Sequence, residues 1–170
     1  MNITLKIDDL EVPLGFDMVA AIVSTLYDIR ENQAIFDALV DHPASVVRTR
    51  LASKDNLSEK AILSLAKNTE AEVLRHLVVS SAFQEFATTE IILRLIGLND
   101  SEMVATIAGR IDVFLSCDRT VLIEALMANP DPSIRFAVAE NSPLPQSVHK
   151  RLLEDDDPDV RYRAAQNKGR

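Results

Sequence analysis

Arginine supplies most of the recognisable chemistry in this sequence. Arg48, Arg50, Arg75, Arg110, Arg135, Arg161 and Arg163 recur along it, with His76 beside Arg75. A guanidinium is a permanently charged planar fork that meets carboxylates and phosphates with parallel hydrogen bonds. A row of them suits an acidic peptide or a phosphate backbone. Arg48, Arg135 and Arg161 share one place in a repeated frame set out below, which suits a structural ladder paired with neighbouring acidic groups; binding is their other possible use. Arg50, Arg75, His76, Arg110 and Arg163 stand outside that place and are the candidates for direct contact with a partner.

Other chemistry is sparse. Cys117 is the one cysteine, which rules out a disulfide within the chain and a cysteine-built zinc or iron–sulfur centre. Histidines 42, 76 and 149 are scattered without the spacing of a metal site. The run Glu154-Asp-Asp-Asp157 lacks the alternating ligands and turn glycine of a calcium loop. It reads as an inter-helix loop that ends in a helix cap. Ser80, Ser81 and Cys117 have neither a glycine elbow nor an evident base nearby in sequence. Cys117 is expected to pack as a small hydrophobe near a helix start. No catalytic residue, metal or cofactor is expected, and the chain is not expected to be an enzyme.

The 170 residues suffice for one domain with a real core, and 47% apolar content argues against wholesale disorder. Four glycines, 5% aromatics and no tryptophan favour helices over a β-sandwich. A net charge of −8 suits a soluble protein rather than one built mainly to coat nucleic acid. The opening MNITLKIDDLEVPLG lacks the basic start and apolar run of a secretory signal, and no apolar stretch is long enough to span a membrane. A cytoplasmic location is expected.

The elements that position these side chains follow from internal repetition. Residues 126–141 and 152–167 both carry the frame L-x(4)-D-P-x-[IV]-R-x(2)-[VA]-A-x-N, offset by 26 residues. Weaker copies begin at Leu39, Leu65 and Leu95. Every copy places an apolar residue eight after its leucine and two more at twelve and thirteen. Another pair precedes the leucine by three and four: Ile35/Phe36, Ala61/Ile62, Ile91/Ile92, Leu122/Ile123 and Val148/His149. Such spacing puts these groups on one face of a helix. Each unit is therefore expected to be a first helix, a turn and a second helix.

The turn carries its own signals. Asp131-Pro132 and Asp157-Pro158 suit an N-cap followed by proline at the first helical position. Asp100 and Glu70 occupy the same slot in the middle copies. Asn141 and Asn167 fall where the second helix ends, in keeping with the left-handed C-terminal cap that asparagine tolerates. Intervals of 30 and 31 residues between leucines 65, 95 and 126 predict longer helices or loops around 80–89 and 109–119. Residues 1–33 are expected to form a cap. In it Ile3, Leu5 and Ile7, then Leu10, Val12 and Leu14, alternate around Asp8-Asp9 as in a small β-hairpin. Residues 16–30, with Met18, Ile22 and Val23 inward, would follow as a half-repeat. Residues 34–170 would then stack as repeats, in one continuous domain with the cap.

The frame resembles bacterial HEAT-like repeats, particularly the leucine-rich repeat variant units. The resemblance is close over 122–167, diffuse over 34–110 and absent from the first thirty or so residues. It implies an all-α, right-handed α-α superhelix of about five helix pairs that holds another macromolecule. Some members of the variant group carry an N-terminal cysteine cluster for iron–sulfur, which this chain lacks. Alkylpurine DNA glycosylases also use HEAT-like repeats, but they need aromatic platforms, notably tryptophans, that are missing here. The expected function is a scaffold that binds a protein or peptide on its second-helix face. The alternative is a nucleic-acid-binding solenoid that uses the arginines.

Overall fold

The computed structural model describes residues 3–141 and 143–167. They are mostly helical, with twelve α-helices and one two-stranded antiparallel sheet. The sheet comprises β1 (Thr4–Ile7) and β2 (Leu10–Pro13), in the register Leu5 opposite Val12 and Ile7 opposite Leu10. The turn between them is made possible by Asp8, whose φ of 52° is a left-handed conformation that aspartate visits more readily than most residues. The expected hairpin is therefore present.

Contacts group the chain into two compact units, Met1–Phe86 and Ala87–Arg170. The first holds the hairpin, α1 (Phe16–Thr25), α2 (Gln33–Leu39), α3 (Ser45–Ala52), α4 (Glu59–Leu65), α5 (Ala71–Val79) and α6 (Ser81–Phe86). Within it α1 packs on α3 and α3 on α5, while α2 packs on α4 and α4 on α6. The second unit holds α7 (Thr89–Gly97), α8 (Ser101–Gly109), α9 (Arg119–Met127), α10 (Pro132–Glu140), α11 (Gln146–Leu153) and α12 (Pro158–Gln166). There α8 packs on α10 and α10 on α12, and α7 packs on α9. The extra residues of the two long sequence intervals are absorbed as added helical turns: α6 in one, a 3₁₀ turn over Ile111–Val113 in the other.

The apolar frame is the core. Val47, Val73, Met103, Ile134 and Val160, each eight residues after its leucine, are buried, as are Leu51, Leu77, Ile107, Val138 and Ala164 four further on. Burying each large side chain favours folding by roughly 1.5–3 kcal/mol. In α1 the register differs from expectation: Val19, Ala20 and Val23 are buried, whereas Met18 and Ile22 are 54% and 39% exposed. The helix also stops at Thr25 rather than near residue 30. No helix among the described residues is long and apolar enough to cross a membrane.

Candidate functional site

Each second helix begins just after a short loop, and the capping residue there fixes the loop's direction. Asp131 Oδ1 accepts from the Ser133 N–H at 2.9 Å, and Asp157 Oδ1 accepts from Asp159 and Val160 at 2.9 and 3.1 Å. Asp100 caps Met103 in the same way, at 2.9 Å. Such caps satisfy backbone donors that the first helical turn leaves unpaired. Glu70 sits at the corresponding place but makes no capping bond. Its carboxylate turns to Arg48 instead, at 2.7 Å. Hydrogen bonding, first from the Ser45 hydroxyl and then from Arg48, holds its pKa below the usual value.

Three arginines at one place in the frame use their guanidinium in the same manner. Arg135 Nη1 donates to the carbonyls of Asn129 and Pro130 at 2.9 and 3.2 Å. Arg161 Nη1 donates to those of Asp155 and Asp156 at 2.6 and 2.8 Å, and Arg48 Nη1 donates to those of His42 and Pro43. In every case the acceptors lie six and five residues back, so the arginine ties the preceding loop to its own helix. The rest of the fork reaches an acid in the next copy: Glu70 for Arg48, and Asp155 for Arg135.

A second set of links was not foreseen. Asn141 and Asn167 end α10 and α12, but with φ of −75° and −81°, so neither makes a left-handed cap. Their side-chain amides point backwards. Asn141 Nδ2 donates to Ala108 O at 2.7 Å and to Ala137 O at 2.9 Å, and Asn167 Nδ2 donates to Ala139 O at 2.9 Å and also to Asn141 O. The left-handed asparagine is Asn99, between α7 and α8, with φ 55°.

The remaining candidates do not form one open stripe. Arg50 is exposed. Arg75, expected to be open to a partner, is already engaged by an interaction within the protein. His76 Nδ1 shares a hydrogen bond with Ser53 Oγ at 3.0 Å. Arg110 ends α8 half-buried, and Arg163 stands 3.4 Å from Glu140. His149 Nε2 lies 2.9 Å from Ala164 O, and Cys117, whose thiol burial pushes its pKa up, lies one residue before the Asp118 cap of α9.

Two of the clefts among the described residues bear on binding. In the first unit Val19, Ile22, Ile35 and Leu39 help line an open apolar cleft of about 550 Å³ beside the hairpin. In the second, α10 and α12 line an open cleft of about 510 Å³. Pro132, Ser133 and Phe136 come from α10 and its first turn. Asp157, Asp159 and Tyr162 come from α12 and its cap. Residues 133 and 136, like 159 and 162, are three apart and share a helix face. Tyr162 is 67% exposed. Phe136 and Tyr162 occupy one position of the repeated frame, ten residues after leucines 126 and 152.

No protein-family model, curated protein or solved structure matches the chain. The geometry of its own residues therefore carries the functional reading.

Proposed function

We propose that this protein is a non-enzymatic interaction scaffold: a HEAT-like, right-handed superhelix that holds a protein or peptide on the face formed by its second helices. The observation that carries this reading is the cleft between α10 and α12. There a half-buried Phe136 and an exposed Tyr162 recur at one frame position instead of entering the core. Large aromatics that line a surface cleft are typical anchors of protein recognition, since they bring contact area with little rotamer entropy.

The arginine-based alternative, binding to nucleic acid, has less to draw on. Arg48, Arg135 and Arg161 are committed to loop carbonyls, Arg48 and Arg135 also to carboxylates, and Arg75 and Arg163 have partners as well. Two measurements decide between the readings. Selection from a displayed library of random dodecapeptides should enrich binders to the folded chain, and an absence of enrichment would sink the scaffold reading. Titration with duplex DNA should show no binding at low salt; tight binding that weakens steeply with salt would favour the alternative.

A further inference from the structure

We propose that the cleft between α10 and α12 is a receptor for a lysine or arginine side chain of a basic peptide segment. The cation would sit against the rings of Phe136 and Tyr162 and pair with Asp157 and Asp159. This deepens the scaffold reading above and rests on it.

The first argument is the chemistry left unused. Asp157 caps its helix with Oδ1 alone, and its other oxygen has no hydrogen bond or ion pair among the described residues. The Asp159 carboxylate and the Tyr162 hydroxyl likewise have none. Meanwhile the donors of the cations on these two helices are directed elsewhere: Arg135 to Asp155, which meets its charge although Asp157 also feels it, Arg161 to its loop carbonyls and Arg163 to Glu140. No cation lines the cleft among the described residues. Glu154 and Asp156, exposed in the loop before α12, line a separate cleft with Arg135 and Arg151.

Charge complementarity then selects the occupant. Two helix N-termini open toward this region, and each contributes about half a positive charge, which by itself would favour an anion. Asp157 and Asp159 bring two full negative charges to the same place. The balance is negative, so a phosphate or carboxylate is repelled and a cation is attracted. Aromatic faces add to that preference, because the ring quadrupole attracts ammonium and guanidinium groups. The surface that was expected to offer arginines to an acidic partner thus offers carboxylates and rings to a basic one.

The test uses the intact chain and the displayed random dodecapeptide library. Enriched peptides should share lysine or arginine. Their affinity should fall about tenfold in Tyr162→Ala and in Asp159→Asn, both exposed positions where circular dichroism should confirm an intact fold. Asp17→Asn, on the exposed surface of α1, should leave affinity unchanged. Enrichment of acidic or purely apolar peptides would overturn the proposal while leaving the scaffold reading in place. So would basic peptides that bind Tyr162→Ala as tightly as the wild type, or that lose as much on Asp17→Asn, since that marks a general attraction to net charge. A library that yields no binders would overturn both.

Discussion

Arg135 and Asp155, twenty residues apart, form a two-pronged ion pair with Nε to Oδ2 at 2.7 Å and Nη2 to Oδ1 at 2.8 Å. Asp155 is only 6% accessible at its side chain and Arg135 15%, so solvent screens the pair weakly. The same carboxylate accepts the Asp157 N–H at 3.0 Å. One aspartate therefore joins the clamp of one copy to the loop of the next.

Its titration has a definite sign. The hydrogen bond from Arg135 holds the Asp155 carboxyl below the usual carboxylate range, against the opposing effect of burial. A depressed folded-state pKa stabilises the fold above the unfolded value, near 4, and that contribution disappears as pH falls through the folded value. Urea unfolding at pH 7 and pH 3 should show a smaller acid-induced loss in Asp155→Asn than in the wild type. At pH 7 the substitution should cost about 1–3 kcal/mol, because Arg135 keeps its charge but loses its counter-ion. Equal pH dependence in the two proteins would contradict this assignment.

His42 gives a pH dependence of the same sign from a different cause. It is 1% exposed, its Nδ1 accepts the Ala44 N–H at 3.2 Å, and its ring meets Phe16 edge-on at 5.4 Å. Burial, chiefly, lowers its pKa. The folded state thus favours neutral imidazole, and stability is full above the unfolded pKa, near 6.5, and declines as pH falls below it. Thermal unfolding between pH 7.5 and 5 should show this loss, and His42→Gln should flatten it.

The asparagine links predict a loss without any change of charge. Asn141→Ala removes the donor to Ala108 O from a site that is 7% exposed, leaving a carbonyl with one partner fewer. The expected cost is about 1–3 kcal/mol, a drop in Tm of several degrees for a chain this size. Circular dichroism melting measures it directly.

Asp131→Ala tests the helix start. Loss of the bond to the Ser133 N–H should cost about 1 kcal/mol in urea unfolding. A change near zero would mean that water or a neighbouring group replaces the cap.

The sequence made the helices legible because their apolar spacing is strict. Buried Leu126, Ile134, Val138 and Leu152 all stand where the frame places them. The Asp-Pro caps were equally readable, since capping is a local matter of one side chain and two backbone groups. The register of α1 was not, because Met18 and Val19 are both apolar and only packing against α3 chooses between them. The roles of Asn141, Asn167 and Asp155 escaped for a related reason. Each bonds to backbone or side chains 20 to 33 residues away, and nothing in a local pattern reports such a distance. The cleft was hidden in plain view. Phe136 and Tyr162 recur in register, but without coordinates an aromatic at helical spacing cannot be told from a core residue.

The backward reach of the asparagines gives the second unit an arrow. Asn167 leans on α10, and Asn141 leans on α8, so each amide reaches back to an earlier helix and neither reaches forward to a later one. Erosion should consequently be asymmetric. Peeling α12 away uncovers a carbonyl that water can satisfy, whereas loosening α8 takes the acceptor from a buried amide and unsettles everything built upon it. Hydrogen exchange should find protection deepening from α12 back toward α8, so that the unit unravels in the direction in which its amides reach.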